Sequence, residues 1–297
     1  MAAKMTAPKV LARKGGDKLC MVTAYDYPSA LIADRAGADI VLVGDSLANV
    51  VLGHENTLAV TVDQMVHHTA SVAAADTAAL VVSDMPWLSF HMSQAETVHN
   101  AGRLVREGGA EAVKVEGGRK RMAAVRAVLD AEIPVMGHLG LTPQSVNAMG
   151  GYRVQGKQAA AAYDLISDAK ALADAGVFSI VLEGVPDLLA EIVTDEVSVP
   201  TIGIGAGKHC DGQVLVYHDV LGLGGGDYLP KFVRQYANLA DLAVEALERF
   251  FADVQSGDFP GEAETYHMPE ESAEILNTLS ARRENGSHLL ADEAMEN

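Results

Sequence analysis

The amino-acid sequence predicts an α/β protein whose sheet closes into a (β/α)₈ barrel. Short apolar runs typical of strands recur through most of the 297 residues, and helix-length segments separate them. Strands that alternate with helices indicate βαβ units and a parallel sheet. A polar residue follows nearly every apolar run. That pattern favours a barrel over a doubly wound open sheet, because a barrel brings all strand ends to one mouth.

Seven strands can be placed along the chain, each followed by a polar or glycine-rich segment. Four consecutive apolar residues at 40–43 indicate a buried strand, and Gly44 and Asp45 follow it directly. An eighth strand is expected at residues 214–217 or nearby, which completes the number that a barrel of this length needs. The seven runs are residues 19–24, 40–43, 79–82, 112–115, 134–137, 178–182 and 200–204.

Helical patterns fill the intervals between these strands. Residues 93–107 and 157–175 are the clearest, and Ser93 with Glu96 matches the capping-box pattern at a helix start. Several helices end in a small-residue phrase that contains glycine, which supplies the left-handed residue that terminates a helix. The three clear phrases are residues 35–38, 107–110 and 174–177.

The domain organisation predicted from these patterns is a single catalytic barrel over residues 1–260 and a separate tail over residues 261–297. The tail is rich in Glu, Ser and Asn and has no strand pattern. Chain ends of this kind are often poorly ordered. We therefore expect the tail to be a peripheral helix or an acidic, disordered segment.

The charge balance excludes some partners. Forty acidic residues against 22 basic ones give a net charge of −18. Such a surface repels nucleic acid and anionic membranes, so neither is an expected partner. The charge is explained either by an acidic face and tail on an ordinary soluble protein or by adaptation to high salt, in which repulsion is screened. We favour the halophilic interpretation.

The cysteines and the apolar runs bear on location. Cys20 and Cys210 are the only cysteines, and their separation gives neither a disulfide framework nor a zinc-binding spacing. That usage is typical of a reducing compartment, so we expect a cytoplasmic protein. The sequence shows no signal-peptide pattern and no apolar run long enough to span a membrane.

Two carboxylates are the strongest candidates for a chemical role. Asp45 and Asp84 each follow an apolar strand, and on adjacent barrel strands they can reach one point. Glu116 ends the next strand. Carboxylate oxygens with open positions suit Mg²⁺. Each Asp could instead cap the following helix, but acids on consecutive strands favour the metal site.

Three further residues follow the same strand-end pattern. Lys114 shares a strand face with Glu116, and a buried lysine is either paired with that carboxylate or directed at a substrate oxygen; both remain open. His138 could be structural or part of the site. Glu183, after residues 180–182, is a candidate general base or acid.

Two loops are less informative. The segment Gly203-Ile204-Gly205-Ala206-Gly207 could hold a phosphate or merely permit close packing, and it lacks the Lys-Ser/Thr of a P-loop. Residues 142–156 form a long segment after the fifth strand, which is either a lid or an ordered surface loop.

Several short segments of the sequence, which include the strand ends discussed above, together resemble the ketopantoate hydroxymethyltransferase family. The resemblance spans roughly residues 10–250, with small departures at Gly53-His54 and Trp87 that do not touch the proposed metal ligands. The matching phrases are residues 23–28, 42–46, 113–118, 137–144, 203–207, 211–216 and 230–232.

The resemblance implies a barrel of the phosphoenolpyruvate/pyruvate-binding kind and a defined reaction. A one-carbon unit would pass from 5,10-methylenetetrahydrofolate to 3-methyl-2-oxobutanoate, giving 2-dehydropantoate for pantothenate and coenzyme A synthesis, with tetrahydrofolate as the other product. It also implies a homo-oligomer, often a decamer. A Mg²⁺-dependent C–C lyase acting on a 2-oxo acid, and a non-catalytic barrel that binds a keto acid, are the alternatives.

The resemblance also implies roles for particular residues. Glu183 would be the catalytic base. The implied Mg²⁺ ligands are Asp45 and Asp84, with Glu116 near the metal. The implied substrate-binding residues are Asp45, Ser46, Asp84, Lys114 and His138.

Overall fold

The structure is a computed structural model that describes residues 3–224 and 229–293, with side chains described as far as residue 281. The chain divides into two compact units at the junction of Ala240 and Asp241. The first unit holds the predicted barrel. The predicted division at residue 260 into a catalytic domain and a tail stays a prediction.

Within the described residues, eight parallel strands close into a barrel in sequence order, with the first strand paired to the last. The predicted (β/α)₈ fold is therefore confirmed. The strands are β1 Leu19–Thr23, β2 Ile40–Val43, β3 Leu80–Asp84, β4 Ala112–Glu116, β5 Val135–Gly140, β6 Ser179–Glu183, β7 Thr201–Ile204 and β8 Gly212–Leu215.

Helices connect and flank the strands. Short 3₁₀ turns also occur, at Thr57–Ala59, Arg119–Arg121, Pro143–Ser145 and Glu262–Glu264. The α-helices of the described residues are α1 Ala7–Leu11, α2 Tyr27–Arg35, α3 Leu47–Val50, α4 Val62–Ala73, α5 Gln94–Arg106, α6 Met122–Asp130, α7 Val146–Met149, α8 Ala159–Ala175, α9 Asp187–Glu196, α10 Tyr217–Leu221, α11 Leu239–Ser256 and α12 Glu270–Glu293.

The predicted helix ends are largely confirmed. Ser93 is the N-cap of α5, and its hydroxyl accepts a hydrogen bond from the Glu96 N–H at 3.1 Å. The glycines of the three predicted turns, Gly37, Gly109 and Gly176, have φ angles of +85°, +75° and +99°. Those angles lie in the left-handed region that glycine adopts without a steric penalty.

The eighth strand lies where it was expected, overlapping residues 214–217 and beginning two residues earlier. It covers Gly212–Leu215, and Tyr217 instead begins α10. Thr23 Oγ1 accepts a hydrogen bond from the Tyr217 N–H at 2.8 Å, which turns the chain out of the sheet at that point. The apolar run at 214–217 therefore spans a strand end and a helix start.

Strand alternation determines which side chains face the barrel interior. On β4, Ala112 packs in the interior cluster with Ile40, whereas Val113 packs in the outer cluster between sheet and helices. Because residues i and i+2 of a strand point to the same face, Lys114 and Glu116 also point inward. The same argument places Asp84 on the interior face of β3.

The second unit contains most of α11 and all of α12. No residue of α11 is buried, and α12 spans most of the predicted tail. Residues 294–297 of that predicted tail lie outside the described residues. Among the residues with a described structure, none of the helices combines the length and apolar character that crossing a bilayer requires.

Asp211 ties the start of β8 to the N-terminal segment and to β7. It is 5% exposed, and its carboxylate accepts hydrogen bonds from Lys14 Nζ at 2.9 Å, Gly15 N at 3.0 Å and Thr201 N at 2.9 Å. Burial alone would raise the pKa of Asp211, but the Thr201, Lys14 and Gly15 bonds outweigh it and hold that pKa below its usual value.

Replacing Asp211 by asparagine is expected to lower the free energy of unfolding by about 2 kcal/mol at pH 7, since charge-assisted hydrogen bonds are lost. A carboxyl whose pKa is depressed by folding stabilises the protein above its unfolded pKa, near 3.9, and loses that effect as the pH falls through the folded pKa. Denaturant unfolding of both proteins at pH 7 and pH 3.5 measures this. An equal difference at the two pH values would contradict the interpretation.

Candidate active site

Acidic and basic side chains from neighbouring strands meet at the carboxyl-terminal mouth of the barrel. Their exposed fractions are between 2% and 5%, so they are almost completely removed from solvent. Burying a charge is costly unless it is paired, and such clusters are characteristic of functional sites. The buried charged or titratable residues are Asp45, Asp84, Lys114, Glu116 and His138.

Asp45 and Asp84 are joined by a direct contact. The Asp45 N–H donates to Asp84 Oδ2 at 2.9 Å. Gly44 permits this approach, because a Cβ at that position would lie 2.7 Å from Ser46 Oγ and 3.7 Å from Asp84 Oδ2. The two strand ends therefore place the backbone of Asp45 against the carboxylate of Asp84.

Neither aspartate caps a helix, so the capping alternative is wrong for both. Ser46 is the N-cap residue of α3, and no side chain caps that helix. The helix that follows Asp84, α5, is capped by Ser93. The two carboxylates are thus available for other interactions.

Lys114 pairs with a different carboxylate from the one considered in the sequence. Its ammonium lies 3.0 Å from Asp84 Oδ1 and 3.1 Å from His138 Nδ1. Asp84 and Lys114 are register partners on β3 and β4, which explains the pairing. Burial disfavours the ammonium, but the charges of Asp84, Glu116 and Asp45 outweigh it and raise the pKa of Lys114. Lys114 is therefore a buried cation.

His138 connects this cluster to Glu183. Its Nδ1 lies 3.2 Å from Glu116 Oε1, and its Nε2 lies 3.1 Å from Glu183 Oε2. Burial and Lys114 oppose protonation, but the Glu116 and Glu183 carboxylates outweigh them and raise the pKa of the imidazole to about 9. Protonated His138 is attracted to both carboxylates, whereas neutral His138 can accept a hydrogen bond from Lys114 at Nδ1.

Negative charge around the two aspartates is only partly compensated. Burial raises the pKa of Asp45 well above its usual value, and the charges of Asp84 and Glu116 raise it further. Burial also raises the pKa of Asp84, although Lys114 opposes that effect. The pKa of Glu116 is instead lowered, because contacts with His138 and Lys114 outweigh burial. An additional cation would favour the ionised forms of Asp45 and Asp84.

The donor atoms fit a hard divalent ion such as Mg²⁺. Asp84 Oδ1 and Glu116 Oε1 are buried and accept no well-directed hydrogen bond. In the described part of the chain, no three His, Cys, Asp or Glu side chains are grouped so as to hold a metal ion by themselves. Mg²⁺ commonly takes one or two protein carboxylates and completes its shell with water or substrate oxygens. Asp45 and Asp84 fit that arrangement.

Gln144 is a site residue that the sequence analysis did not single out. Its Nε2 donates to Asp45 Oδ2 at 2.8 Å and to the Met85 carbonyl at 3.0 Å, and its backbone N–H donates to Glu116 Oε2 at 3.1 Å. Gln144 Oε1 is buried without a partner. This start of the long loop is therefore a wall of the site. The sequence feature that could have identified Gln144 is its place in the segment 137–144, six residues after His138.

Ser46 and Tyr25 form one edge of the site. The Tyr25 hydroxyl lies 2.8 Å from Ser46 Oγ, and Tyr25 is 2% exposed. Burial, against the opposing effect of Ser46, raises the pKa of this phenol. Tyr25 directly follows the first predicted strand and was not among the predicted site residues. Its contact with Ser46 links β1 to the residue that follows Asp45.

Glu183 lies nearer to solvent than the cluster, with a side chain 15% exposed. Its backbone carbonyl accepts from Leu141 N at 2.8 Å. Gly140 allows β5 and β6 to meet here, since a Cβ at Gly140 would lie 2.2 Å from the Glu183 carbonyl oxygen. The predicted base is thus held at the rim by the sheet and by His138.

The glycine-rich segment after β7 is explained by packing. A Cβ at Gly203 would lie 3.0 Å from Cys210 Sγ, one at Gly205 would lie 2.8 Å from the Phe232 ring, and one at Gly207 would lie 2.6 Å from Asp187 Cβ. Protein atoms fill each space that a side chain would occupy. This supports the close-packing interpretation over a phosphate cradle.

Comparison with known proteins gives consistent results. The family model described as ketopantoate hydroxymethyltransferase matches residues 4–262. A 3-methyl-2-oxobutanoate hydroxymethyltransferase from Syntrophomonas wolfei is 56% identical over 264 residues, which cover 89% of this chain and 95% of that protein.

Solved structures of more distant proteins share the fold. A 2,3-dimethylmalate lyase, described as a PEP mutase/isocitrate lyase superfamily member, is 17% identical with a TM-score of 0.53, covering 96% of this chain and 99% of that one. Phosphonopyruvate hydrolase in complex with oxalate and Mg²⁺ is 13% identical with a TM-score of 0.55, covering 94% and 99%.

Proposed function

The chain belongs to the ketopantoate hydroxymethyltransferase family and is a transferase of one-carbon groups, and we propose that it converts 3-methyl-2-oxobutanoate to 2-dehydropantoate with 5,10-methylenetetrahydrofolate as the donor. The product would serve pantothenate and coenzyme A synthesis. Tetrahydrofolate is the second product, and one water supplies the new hydroxyl.

The observation that carries the proposal is an unbroken series of contacts across the barrel mouth. It runs from Asp84 through Lys114 and His138 to Glu183, with steps of 3.0, 3.1 and 3.1 Å. A carboxylate pair suited to a metal thus lies at one end and a more exposed carboxylate at the other. Forming a carbon–carbon bond next to a ketone needs both functions, since a proton must leave C3 while negative charge develops on the keto oxygen.

The metal end of the site would bind the keto acid. Asp45 and Asp84 would hold Mg²⁺, with Glu116 near it. Mg²⁺, when bound, supplies a Lewis acid that stabilises negative charge on the keto and carboxylate oxygens. Lys114 supplies a fixed positive charge on the same side, and Ser46 lies at the edge where its hydroxyl can bind the acid.

Glu183 would remove the C3 proton of the substrate. His138 holds this carboxylate in place through the 3.1 Å contact with Oε2 and balances its charge when the imidazole is protonated. A general base at hydrogen-bond distance from the proton typically contributes about 10²–10⁴ in rate. The resulting carbon nucleophile bonds to the donor's methylene carbon as the first of its two carbon–nitrogen bonds breaks. Water then replaces the second nitrogen, which leaves the hydroxyl on the new carbon and releases tetrahydrofolate with both nitrogens protonated.

Assembly and location are part of the proposal. A homo-oligomer, with the decamer of the family resemblance as the expected size, would cover the apolar side chains that α11 exposes, such as Leu247, Phe250 and Phe251. Cys20 and Cys210 are both free thiols, which suits a reducing cytoplasm.

Product analysis with a labelled donor tests the function. Protein, Mg²⁺, 3-methyl-2-oxobutanoate and donor carrying ¹³C in the methylene group are expected to give 2-dehydropantoate with the label in its hydroxymethyl carbon. Mass spectrometry reads the result. Consumption of the oxo acid into two smaller fragments without folate would instead support the lyase alternative, and recovery of unchanged oxo acid would support a binding protein.

We propose further that the protein is halophilic and needs molar salt to stay folded and assembled. Residues 261–297 hold nine acids and two bases, a net charge of −7, so −11 of the total −18 remains on residues 1–260. The Debye length is about 30 Å at 0.01 M salt and about 3 Å at 1 M, so high salt screens repulsion between these carboxylates.

Thermal melts and sedimentation from 0.1 to 3 M KCl measure the effect. The melting temperature and the particle size are expected to rise with salt, because assembly brings acidic surfaces together. A melting temperature and particle size that stay constant over that range would rule out the halophilic interpretation.

A further inference from the structure

A cavity of about 480 Å³ lies beside the barrel mouth, lined by residues that follow β1, β2 and β8. Its volume falls within the roughly 300–1,000 Å³ typical of small-molecule sites. Tyr25 lines the cavity and its hydroxyl also contacts Ser46 Oγ at 2.8 Å, so this residue links the cavity to the substrate edge of the site. The lining residues include Tyr25, Asp26, Val51, His68, Tyr217 and His218.

The walls of the cavity are rich in aromatic rings. His218 lies between two of them, with ring centroids 5.5 Å from Tyr25 and 5.8 Å from Tyr217. Flat ring systems pack well against such surfaces, and small-molecule sites are usually lined by apolar and aromatic side chains with a few polar groups.

The polar groups of the cavity suit a neutral or cationic ring with N–H donors. His218 Nδ1 is buried without a hydrogen-bond partner. His68 Nδ1 donates to the Tyr25 carbonyl at 2.7 Å, which leaves its Nε2 as an acceptor. Asp26 adds a carboxylate at the exposed rim. Among the described lining residues there is no Lys or Arg, so nothing there favours a phosphate or another small anion.

We propose that this cavity binds the pterin ring of the reduced-folate donor, an inference that rests on the proposed function. The pterin ring is flat and carries ring N–H and amino donors, for which the carboxylate and imidazole acceptors are complementary. The donor's methylene group, at the junction of the pterin and the aminobenzoate, then passes beside Tyr25 and Ser46 to reach the keto acid. The charged glutamate portion of the folate extends outward past the exposed side chain of Val51.

Two substitutions test the site from different directions. Val51→Trp fills the cavity from a side chain that is 42% exposed, so it need not disturb the core. His218→Phe keeps a ring of similar shape but removes Nδ1. Ile32→Trp is the matched control, because Ile32 is 49% exposed on α2 and is not among the lining residues.

Each variant is measured in three ways: the KM for 5,10-methylenetetrahydrofolate, the KM for 3-methyl-2-oxobutanoate, and the folate-independent exchange of the C3 hydrogen in D₂O. Val51→Trp is expected to raise the folate KM at least tenfold, and His218→Phe about 5- to 10-fold, as expected for one lost hydrogen bond. The KM for 3-methyl-2-oxobutanoate and the rate of C3 hydrogen exchange stay within twofold of wild type in both variants. In Ile32→Trp, all three measured quantities stay within twofold.

The outcomes separate this inference from the proposed function. A folate KM within twofold of wild type in both cavity variants overturns the inference. If wild type forms no folate-dependent product, calorimetry with tetrahydrofolate tests whether the cavity still binds a pterin. Binding that Val51→Trp abolishes supports the cavity as a pterin site even though the proposed transfer has failed. Binding that is absent from wild type, or unchanged in Val51→Trp, overturns the inference.

Discussion

Turnover is expected to fall below detection when Asp84 is replaced by asparagine, with the barrel still folded. The change keeps the shape of the side chain and its contact with the Asp45 N–H at 2.9 Å. It removes the negative charge that faces Lys114 at 3.0 Å and that would bind Mg²⁺. Both the metal and the fixed cation would then be misplaced for the keto acid.

The variant separates a metal role from a purely structural one. Titration with Mn²⁺ as a spectroscopic substitute for Mg²⁺ should show the loss of the bound ion, while circular dichroism and the melting curve report the fold. Asp164→Asn is the matched control, because Asp164 is a surface carboxylate paired with Arg119. Retained turnover together with normal Mn²⁺ binding in Asp84→Asn would contradict the assignment of Asp84.

Replacing the proposed base, Glu183, should slow removal of the C3 proton and leave substrate binding intact. Glu183→Gln preserves the size of the side chain and its contact with His138 but cannot accept the C3 proton. We expect exchange of that hydrogen into D₂O to slow by about 10²–10⁴, the usual contribution of a general base. Proton NMR of 3-methyl-2-oxobutanoate without folate follows the exchange directly.

Glu191→Gln serves as the control for Glu183→Gln, because Glu191 is a half-exposed glutamate on α9 that lies beside the surface histidine His209. Its exchange rate should equal that of wild type. The KM for the oxo acid should change little in either variant. If Glu183→Gln exchanges the C3 hydrogen as fast as wild type, another group is the base.

The strand ends were the most predictable part of the molecule. Alternation alone places Lys114 and Glu116 on the same face of β4, and the apolar run at 40–43 correctly locates β2. Both features are local, since a strand has a side-chain period of two and a fully buried strand needs a continuous apolar run. The closure of the sheet into a barrel could then be predicted from the number of strand–helix repeats.

Features set by contacts between distant residues were less predictable. The partner of Lys114 depends on the register between β3 and β4, which pairs Asp84 with Lys114, whereas sequence proximity suggested Glu116. The eighth strand is likewise fixed by its neighbours. Gly212 lies opposite Leu19, and a Cβ there would approach Leu19 Cβ to 2.7 Å, so only a glycine allows this pairing.

Gln144 shows why some site residues escape sequence reasoning. The hydrogen bond to Asp45 joins residues 99 positions apart, and the local phrase Thr-Pro-Gln reads as an ordinary turn. Its role depends on the path of the loop after β5, which the local pattern does not encode. Tyr25 is similar, because its contact with Ser46 depends on the pairing of β1 with β2.

The position of the metal is the central claim, and anomalous diffraction tests it most directly. Crystals grown with Mn²⁺ and 3-methyl-2-oxobutanoate should show one strong anomalous peak at the barrel mouth. The peak is expected to lie roughly 2.0–2.3 Å from carboxylate oxygens of both Asp45 and Asp84, with the keto acid between it and Glu183. A peak bound elsewhere, or no peak at this mouth in crystals of enzyme shown to need a divalent ion, would contradict it.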